Sequence, residues 1–149
     1  MTTIDDLSEI ESRSVEAVYA CHVLEHVDRY DVLRTLQEWH RVLIPGGELR
    51  VAVPDFETMV ELYAGGVHLE RIWGLFYGGQ RTEWDSHRVV FDYETLATYL
   101  QKAGFYGMEK YNAYKWLDRI NLDAGSYIDF STATINGILI SLNVVGFAK

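Results

Sequence analysis

The sequence predicts one α/β domain, residues 1–149, built around a mostly parallel β-sheet. β-forming residues at 15–20 predict a first strand, and residues 48–53 alternate as a second strand. Between them, residues 29–43 have the apolar spacing of a helix. A strand, a helix and a strand in this order form a right-handed βαβ unit whose strands are parallel.

The helix predicted at residues 29–43 is defined by its apolar face and by signals at both ends. Asp28 is a residue type that caps helix N-termini. Pro45 ends the helix, because proline cannot continue it, and the two glycines that follow permit the turn into the next strand. The apolar residues that recur every three or four positions are Val32, Leu36, Trp39 and Leu43.

Two further helices are expected beyond the first βαβ unit. Asp55 begins a helix at residues 56–63, which two glycines close. Asp92 caps a better-marked helix at residues 93–103, and Gly104 ends it.

Two more strands are expected at residues 108–116 and 138–147. The polar connection between them, residues 118–137, is long enough to be mobile or to make a hairpin. Residues 67–88 are rich in aromatic residues and glycine, which predicts an irregular lid or insertion with a short helix near residues 69–76. This stretch either closes over a substrate or covers core and an interface.

Composition and charge limit the class of protein. The net charge of −9 argues against a nucleic-acid partner, because phosphate binding needs a basic surface. Cys21 is the only cysteine, so no internal disulfide forms and a reducing, cytoplasmic location is expected. The first residues are acidic and contain no apolar signal segment. No apolar run approaches the roughly 18 residues of a membrane helix, so no membrane partner is expected.

His22, Glu25 and His26 follow the first strand directly, at the edge where α/β folds bind ligands. An imidazole can act as a general base near neutral pH. The His22-x-x-Glu25-His26 spacing also occurs in inverted zinc proteases. That motif requires a third ligand and a regular helix, whereas here it follows a strand, so no metal is expected. A third interpretation is that these side chains only fix the turn by local hydrogen bonds.

Several segments have a recognisable order and spacing. Residues 19–27 read YACHVLEHV, and residues 38–55 read EWHRVLIPGGELRVAVPD. They are followed by His87, by FDYETL at residues 91–96, by AGF at residues 103–105 and by ISLN at residues 140–143. Together they resemble the class I S-adenosylmethionine-dependent methyltransferases over nearly the whole chain.

This resemblance implies a partial Rossmann-like methyltransferase fold, with a mostly parallel sheet and an antiparallel C-terminal strand. It implies S-adenosylmethionine as cofactor. Ala20, Cys21 and His22 would form the floor of the methyl-transfer pocket, and Asp6 and Leu7 would lie beside the adenine ring.

The resemblance also suggests where an acceptor would bind. His22, Glu25 and His26 are the candidate catalytic residues, because they would position the acceptor at the methyl-transfer pocket. His87 and Arg88, near the aromatic stretch, are candidate contacts to an anionic substrate. Residues 56–90 would build the acceptor pocket as an insertion, but nothing in them specifies the acceptor.

The chain departs from the family in its N-terminal half. The family begins with a strand and a glycine-rich turn that approaches the methionine part of the cofactor, whereas the first glycine pair here, Gly46-Gly47, belongs to a helix end. The N-terminal βαβαβ portion of the methyltransferase fold, which carries this turn, is therefore expected to be absent. The strand from Val15 to Ala20 would then be an open edge, which predicts a homodimer through that edge or the adjacent sheet face. A longer gene product or a separate chain could also supply the missing half.

Two functions follow from this sequence. The first is an S-adenosylmethionine-dependent methyltransferase, or a truncated homologue of one, that acts on a small-molecule or sugar-like acceptor. The second is a catalytically inert methyltransferase-like module for dimerisation or interaction. Cofactor binding distinguishes the two, because the glycine-rich turn is missing.

Overall fold

A computed structural model describes residues 4–117 and 132–149 of the chain. A four-stranded sheet forms its centre, with helices and a small hairpin around it. Short 3-10 turns lie at Leu24–His26 and Leu69–Arg71. The other elements, in chain order, are β1 (Val15–Cys21), α1 (Val32–Val42), β2 (Leu43–Pro54), α2 (Phe56–Ala64), α3 (Trp73–Tyr77), α4 (Tyr93–Ala103), β3 (Phe105–Lys110), α5 (Ala113–Leu117), β4 (Thr134–Ile135), β5 (Ile138–Leu139) and β6 (Ser141–Ala148).

The central sheet has the strand order β1-β2-β6-β3. β1 and β2 pair in parallel, and β6 pairs antiparallel with both β2 and β3. Three strands therefore run in one direction, and the C-terminal strand runs against them. The predicted α/β class and the antiparallel C-terminal strand are confirmed.

Helices α1 and α4 pack against each other over one face of this sheet. Their apolar residues and those of the sheet form one continuous core. Burying one such aliphatic side chain stabilises the fold by about 1.5–3 kcal/mol, so the core on this face contributes most of the hydrophobic stabilisation. The central members of the core are Leu36, Trp39, Leu49, Val51, Leu96 and Leu100.

The segment before β1 is fixed against α1 by long-range hydrogen bonds. The indole Nε1 of Trp39 donates to the carbonyl of Ile4 at 2.7 Å. The guanidinium of Arg41 donates to the carbonyls of Leu7 and Ile10 at 2.9 and 3.0 Å. These bonds hold the N-terminal segment against the C-terminal half of α1, and Ile4 and Asp5 at its start line a cleft together with His22.

Helix α1 begins three residues later than predicted. The Asp28 carboxylate accepts a hydrogen bond from the backbone N–H of Tyr30 at 3.0 Å and closes a turn instead of capping the helix. The helix starts at Val32, after Asp31, whose side chain makes no capping bond. An Asp that satisfies its own neighbouring backbone forms a turn as readily as a cap.

The predictions for α2 and α4 are confirmed at their caps. The Asp55 carboxylate accepts from the N–H of Glu57 at 3.1 Å, and the Asp92 carboxylate accepts from the N–H of Thr95 at 2.8 Å. Gly104 ends α4 with φ = 111°, in the left-handed region that favours glycine.

The strand predicted at residues 108–116 exists but has the wrong bounds, since it begins at Phe105. β3 ends at Lys110, and Asn112 then accepts a hydrogen bond from the N–H of Lys115 at 3.1 Å, which begins the helical turn α5. An asparagine side chain that bonds a backbone N–H three residues on favours a helix start over a strand.

The strand predicted at residues 138–147 is present but is divided at Ile140 into β5 and β6. The N–H of Ile140 donates to the carbonyl of Ala133, and its carbonyl accepts from the N–H of Asp55, both at 3.0 Å. The hairpin β4–β5 turns at Asn136 and Gly137, which have φ of 52° and 79°. Most of the predicted connection, residues 118–131, lies outside the described residues.

The predicted insertion has a small core of its own. Leu62, Val67, Ile72 and Ile140 are buried together, and residues of the β4–β5 hairpin pack against them. Trp73 and Trp84 remain exposed. Within the described residues, no helix is long and apolar enough to cross a membrane.

Candidate functional site

The candidate site begins where β1 ends, at His22. Its N–H donates to the carbonyl of Ala52 at 2.8 Å, which extends the pairing between β1 and β2 by one bond. Its backbone then turns to φ = 50°, a left-handed conformation that few residues other than glycine adopt. Such backbone strain costs about 1–3 kcal/mol and concentrates at functional sites. The 3-10 turn at Leu24–His26 follows at once.

Glu25 lies behind this turn as a buried carboxylate, with 1% of its side chain exposed. Its Oε1 is 3.2 Å from Nδ1 of His22 and 3.9 Å from Nε2 of His87. The nearer contact lacks the geometry of a hydrogen bond, so neither carboxylate oxygen has a hydrogen-bond partner among the described residues. A buried carboxylate without hydrogen bonds is costly, because it has lost its hydration.

His22 connects this carboxylate to the start of β6. Its Nε2 is 2.6 Å from the hydroxyl oxygen of Ser141. Nε2 either donates to this hydroxyl or accepts from it, depending on which ring nitrogen carries the hydrogen. Glu25, His22 and Ser141 have the residue types of a hydrolytic triad, but Ser141 is buried, so its hydroxyl is not placed to attack a substrate.

His26 and His87 lie edge to face, with ring centroids 4.8 Å apart. Nδ1 of His26 is 3.1 Å from the carbonyl of Ser86, and Nδ1 of His87 is 3.0 Å from the carbonyl of Leu75. A carbonyl oxygen only accepts, so Nδ1 carries the hydrogen in both rings and Nε2 has a lone pair. Burial is the main cause that lowers the pKa of His87, against the opposing effects of the Leu75 carbonyl and the Glu25 charge.

His87 lies close to Glu25 and His26 because hydrogen bonds join its loop to the turn after β1. The N–H of Arg88 donates to the carbonyl of Glu25 at 2.8 Å. The N–H of His87 donates to the carbonyl of Tyr77 at 3.1 Å. Glu25, His26 and His87 thus offer one ligand atom each, all within 4.8 Å of one another.

A cleft of about 570 Å³ opens beside the turn. His22 and His26 form part of its wall, and Trp84 and Arg88 come from the insertion. Carboxylates and aliphatic side chains complete the lining. These other lining residues include Ile4, Asp5, Val23, Val27, Asp28 and Asp31.

Asp6 and Leu7 lie elsewhere. Asp6 lines a second, polar cleft between the N-terminal segment and α1, and its carboxylate accepts from the N–H of Ser8 at 3.0 Å. A hydrogen bond with the Ser8 side chain is the main cause that lowers the pKa of Asp6, and this backbone bond is the second. Leu7 packs onto the core, and its N–H donates to Glu38 at 3.1 Å.

The structure brings together the three candidate catalytic residues, His22, Glu25 and His26. Ala20 is buried in β1 and Cys21 is half-buried, and neither is among the residues that line the cleft. The candidate substrate residues separate: the side chain of Arg88 lines the cleft, whereas that of His87 points to Glu25.

Sequence reasoning missed Asp5, Ser141 and the proximity of His87 to Glu25. Ser141 lies in the segment ISLN, which resembles the C-terminal part of the methyltransferases, but the sequence indicates no chemical role for its hydroxyl. The proximity of His87 to Glu25 had no signal, because it depends on a hydrogen bond between distant loops.

Comparison with known proteins identifies the fold. Residues 1–51 match the family of the methyltransferase domain. An S-adenosylmethionine-dependent methyltransferase from Thermotoga maritima has a TM-score of 0.59 at 20% identity, over 99% of this chain and 61% of that one. An S-adenosylmethionine-dependent methyltransferase from Archaeoglobus fulgidus has a TM-score of 0.53 at 16% identity, over 97% and 64%.

A third similar structure is a methyltransferase of Haloferax volcanii in complex with the Trm112 methyltransferase activator. Its TM-score is 0.55 at 19% identity, over 97% of this chain and 58% of that one. The chain therefore spans less than two thirds of the length of these solved structures. No curated protein matches the chain.

Proposed function

We propose that this chain, which has the fold of class I S-adenosylmethionine-dependent methyltransferases, binds the cofactor and a methyl acceptor in the cleft beside His22. The observation that carries the proposal is the cleft at the carboxyl end of β1, the edge at which open α/β sheets bind ligands. Its volume lies within the roughly 300–1,000 Å³ of ligand pockets.

The residues of the cleft fit part of the cofactor. Trp84 and Val23 offer an aromatic and an aliphatic surface for the adenine ring, and Asp5 offers a carboxylate for the ribose hydroxyls. Arg88 is a cation suited to a carboxylate. Within residues 4–14, ahead of β1, there is no glycine-rich turn for the methionine part.

Our proposal for the acceptor is a small-molecule or sugar-like hydroxyl. When bound, the cofactor supplies an activated methyl group on its sulfonium sulfur. His26 lines the cleft and would orient the acceptor by a hydrogen bond, whereas His22 lines it with both ring nitrogens directed at Glu25 and Ser141 and would act by holding the shape of the cleft. Glu25 lies behind them as a positioning residue, because its carboxylate faces Nδ1 of His22. Orientation of this kind contributes most of the rate in a displacement reaction.

Calorimetric titration with S-adenosylhomocysteine tests cofactor binding. We expect measurable binding to the wild type and a weaker affinity for Trp84→Ala, by roughly 5- to 150-fold, because base–aromatic stacking contributes about 1–3 kcal/mol. Trp73→Ala is the matched control, since Trp73 is also exposed but lies outside the cleft. No heat at millimolar ligand, or an equal loss in both variants, contradicts the proposal.

The second candidate function is a catalytically inert interaction module, and the edge of the sheet favours it. In the described part of the chain, β1 pairs with β2 on one side and lies at the end of the sheet. Its residues Glu16 and Ala17 are exposed. An open edge of this kind pairs readily with another chain, and we propose a homodimer through β1. A heterologous partner is the alternative, by analogy with the activator-bound methyltransferase of Haloferax volcanii.

A further inference from the structure

We propose that Glu25, His26 and His87 bind one divalent transition-metal ion, and that Zn²⁺ is the ion that fits best. The three residues come from the turn after β1 and from the loop before α4. One ligand atom of each lies within 4.8 Å of the other two. The inference does not depend on the proposed methyl transfer, because it rests on these side chains alone.

The two histidines are oriented as metal ligands are. Nδ1 of His26 faces the carbonyl of Ser86, and Nδ1 of His87 faces the carbonyl of Leu75, at 3.1 and 3.0 Å. A ligating histidine almost always donates its other ring N–H in this way, which fixes the tautomer and aims the lone pair. Two imidazoles from distant loops are thus held with their Nε2 atoms available.

Glu25 supplies the second, independent observation. Its side chain is 1% exposed, and neither carboxylate oxygen has a hydrogen-bond partner among the described residues. A buried carboxylate is normally paired, hydrogen-bonded or bound to a metal. His22 and His87 lie near Oε1, but without hydrogen-bond geometry. A divalent cation at this point would supply the positive charge that this carboxylate lacks.

The donor set indicates which ion binds. Two imidazoles and one carboxylate are the protein ligands of one class of catalytic zinc sites, which keep a fourth position open. Since zinc–ligand bonds are about 2.0–2.2 Å long, tetrahedral ligand atoms lie roughly 3.3–3.6 Å apart. From separations of up to 4.8 Å, the ligand atoms would have to close by up to about 1.5 Å when the ion binds. His26 lines the cleft, so the open position would face it.

This site differs from the metal site that the His22-x-x-Glu25-His26 spacing would predict. That pattern joins His22 and His26 on one helix, but the chain here forms a 3-10 turn. His22 turns instead to Ser141, at 2.6 Å. Nδ1 of His22 stays near the Glu25 carboxylate, at 3.2 Å, but the third member of the cluster is His87, from the distant loop.

The test is a Zn²⁺ titration of the untagged, metal-free protein in competition with a chromogenic chelator. We expect one equivalent to bind. Loss of an outer partner of a metal site already costs about 10- to 100-fold in affinity, so His26→Gln and His87→Gln should each weaken binding at least about tenfold. His68→Gln is the matched control, because His68 is exposed and lies outside the cluster.

Two results would overturn the site. One is wild-type protein that binds far less than one equivalent, and the other is equal affinity in all the variants. If a ligand variant does not fold, Co²⁺ added to the wild type gives the answer. A visible band stronger than that of the aqueous ion supports an imidazole and carboxylate site, and an unchanged spectrum contradicts it. These readouts need no cofactor, so they are separate from the S-adenosylhomocysteine titration.

Discussion

His22 combines a strained backbone with two side-chain contacts. Its φ of 50° allows the chain to leave β1 and enter the 3-10 turn within one residue. The same turn places Nδ1 near Glu25 and Nε2 near Ser141. The sequence predicts that His22 is important from its place after a strand. It gives no signal of the left-handed conformation, because histidine adopts other conformations in most proteins.

We therefore predict that the backbone at residue 22 limits which substitutions are tolerated. His22→Asn and His22→Val both remove the imidazole, but asparagine adopts a left-handed conformation far more readily than a β-branched residue. The valine variant should be less stable than the asparagine variant by about 1–3 kcal/mol. Urea denaturation measures this difference. Equal stabilities would show that the turn relaxes without strain.

At the scale of elements, the helix ends explain which predictions succeeded. The cap of α4 is local in sequence: Asp92 bonds the N–H of Thr95, and the helix bounds were predicted correctly. The start of α1 was misplaced because Asp28 and Asp31 are both acceptable caps in sequence. β3 and β6 were misjudged because their ends are fixed by pairing and by Ile140, which are long-range contacts.

A pair of aspartates tests this account of the helix ends. Asp92→Ala should lower the free energy of unfolding by about 1 kcal/mol, because it removes a capping hydrogen bond. Asp31→Ala is the control at the N-terminus of α1. Its carboxylate makes no cap and only an exposed ion pair with Arg34, which contributes little. Chemical denaturation of both variants measures the difference, and an equal loss would contradict the assignment of the caps.

At the scale of the whole molecule, the sheet ends at β1 with one side unpaired among the described residues. A parallel sheet normally has neighbours on both edges and helices on both faces. Helices α1 and α4 cover one face, whereas Glu16, Ala17 and Tyr19 leave much of β1 exposed. The chain spans less than two thirds of the length of the methyltransferase structures that it resembles.

The proposed homodimer is tested by light scattering after size exclusion. The wild type should be a dimer at micromolar concentration, and Ala17→Lys should be a monomer, because a charge on an edge strand opposes pairing. Val60→Lys, a substitution at another exposed position, on α2, should remain a dimer. A wild-type monomer would exclude the homodimer.

The α/β class, β1, α2 and α4 follow from the sequence alone, as does the position of the candidate residues directly after β1. These features depend on apolar spacing and on caps, which act between residues a few positions apart. Tertiary structure decided that His87 approaches Glu25, that His22 turns to Ser141, and that Asp5 and Trp84 line the cleft. Those contacts form between segments far apart in the chain, and only the packed sheet and its loops bring them together.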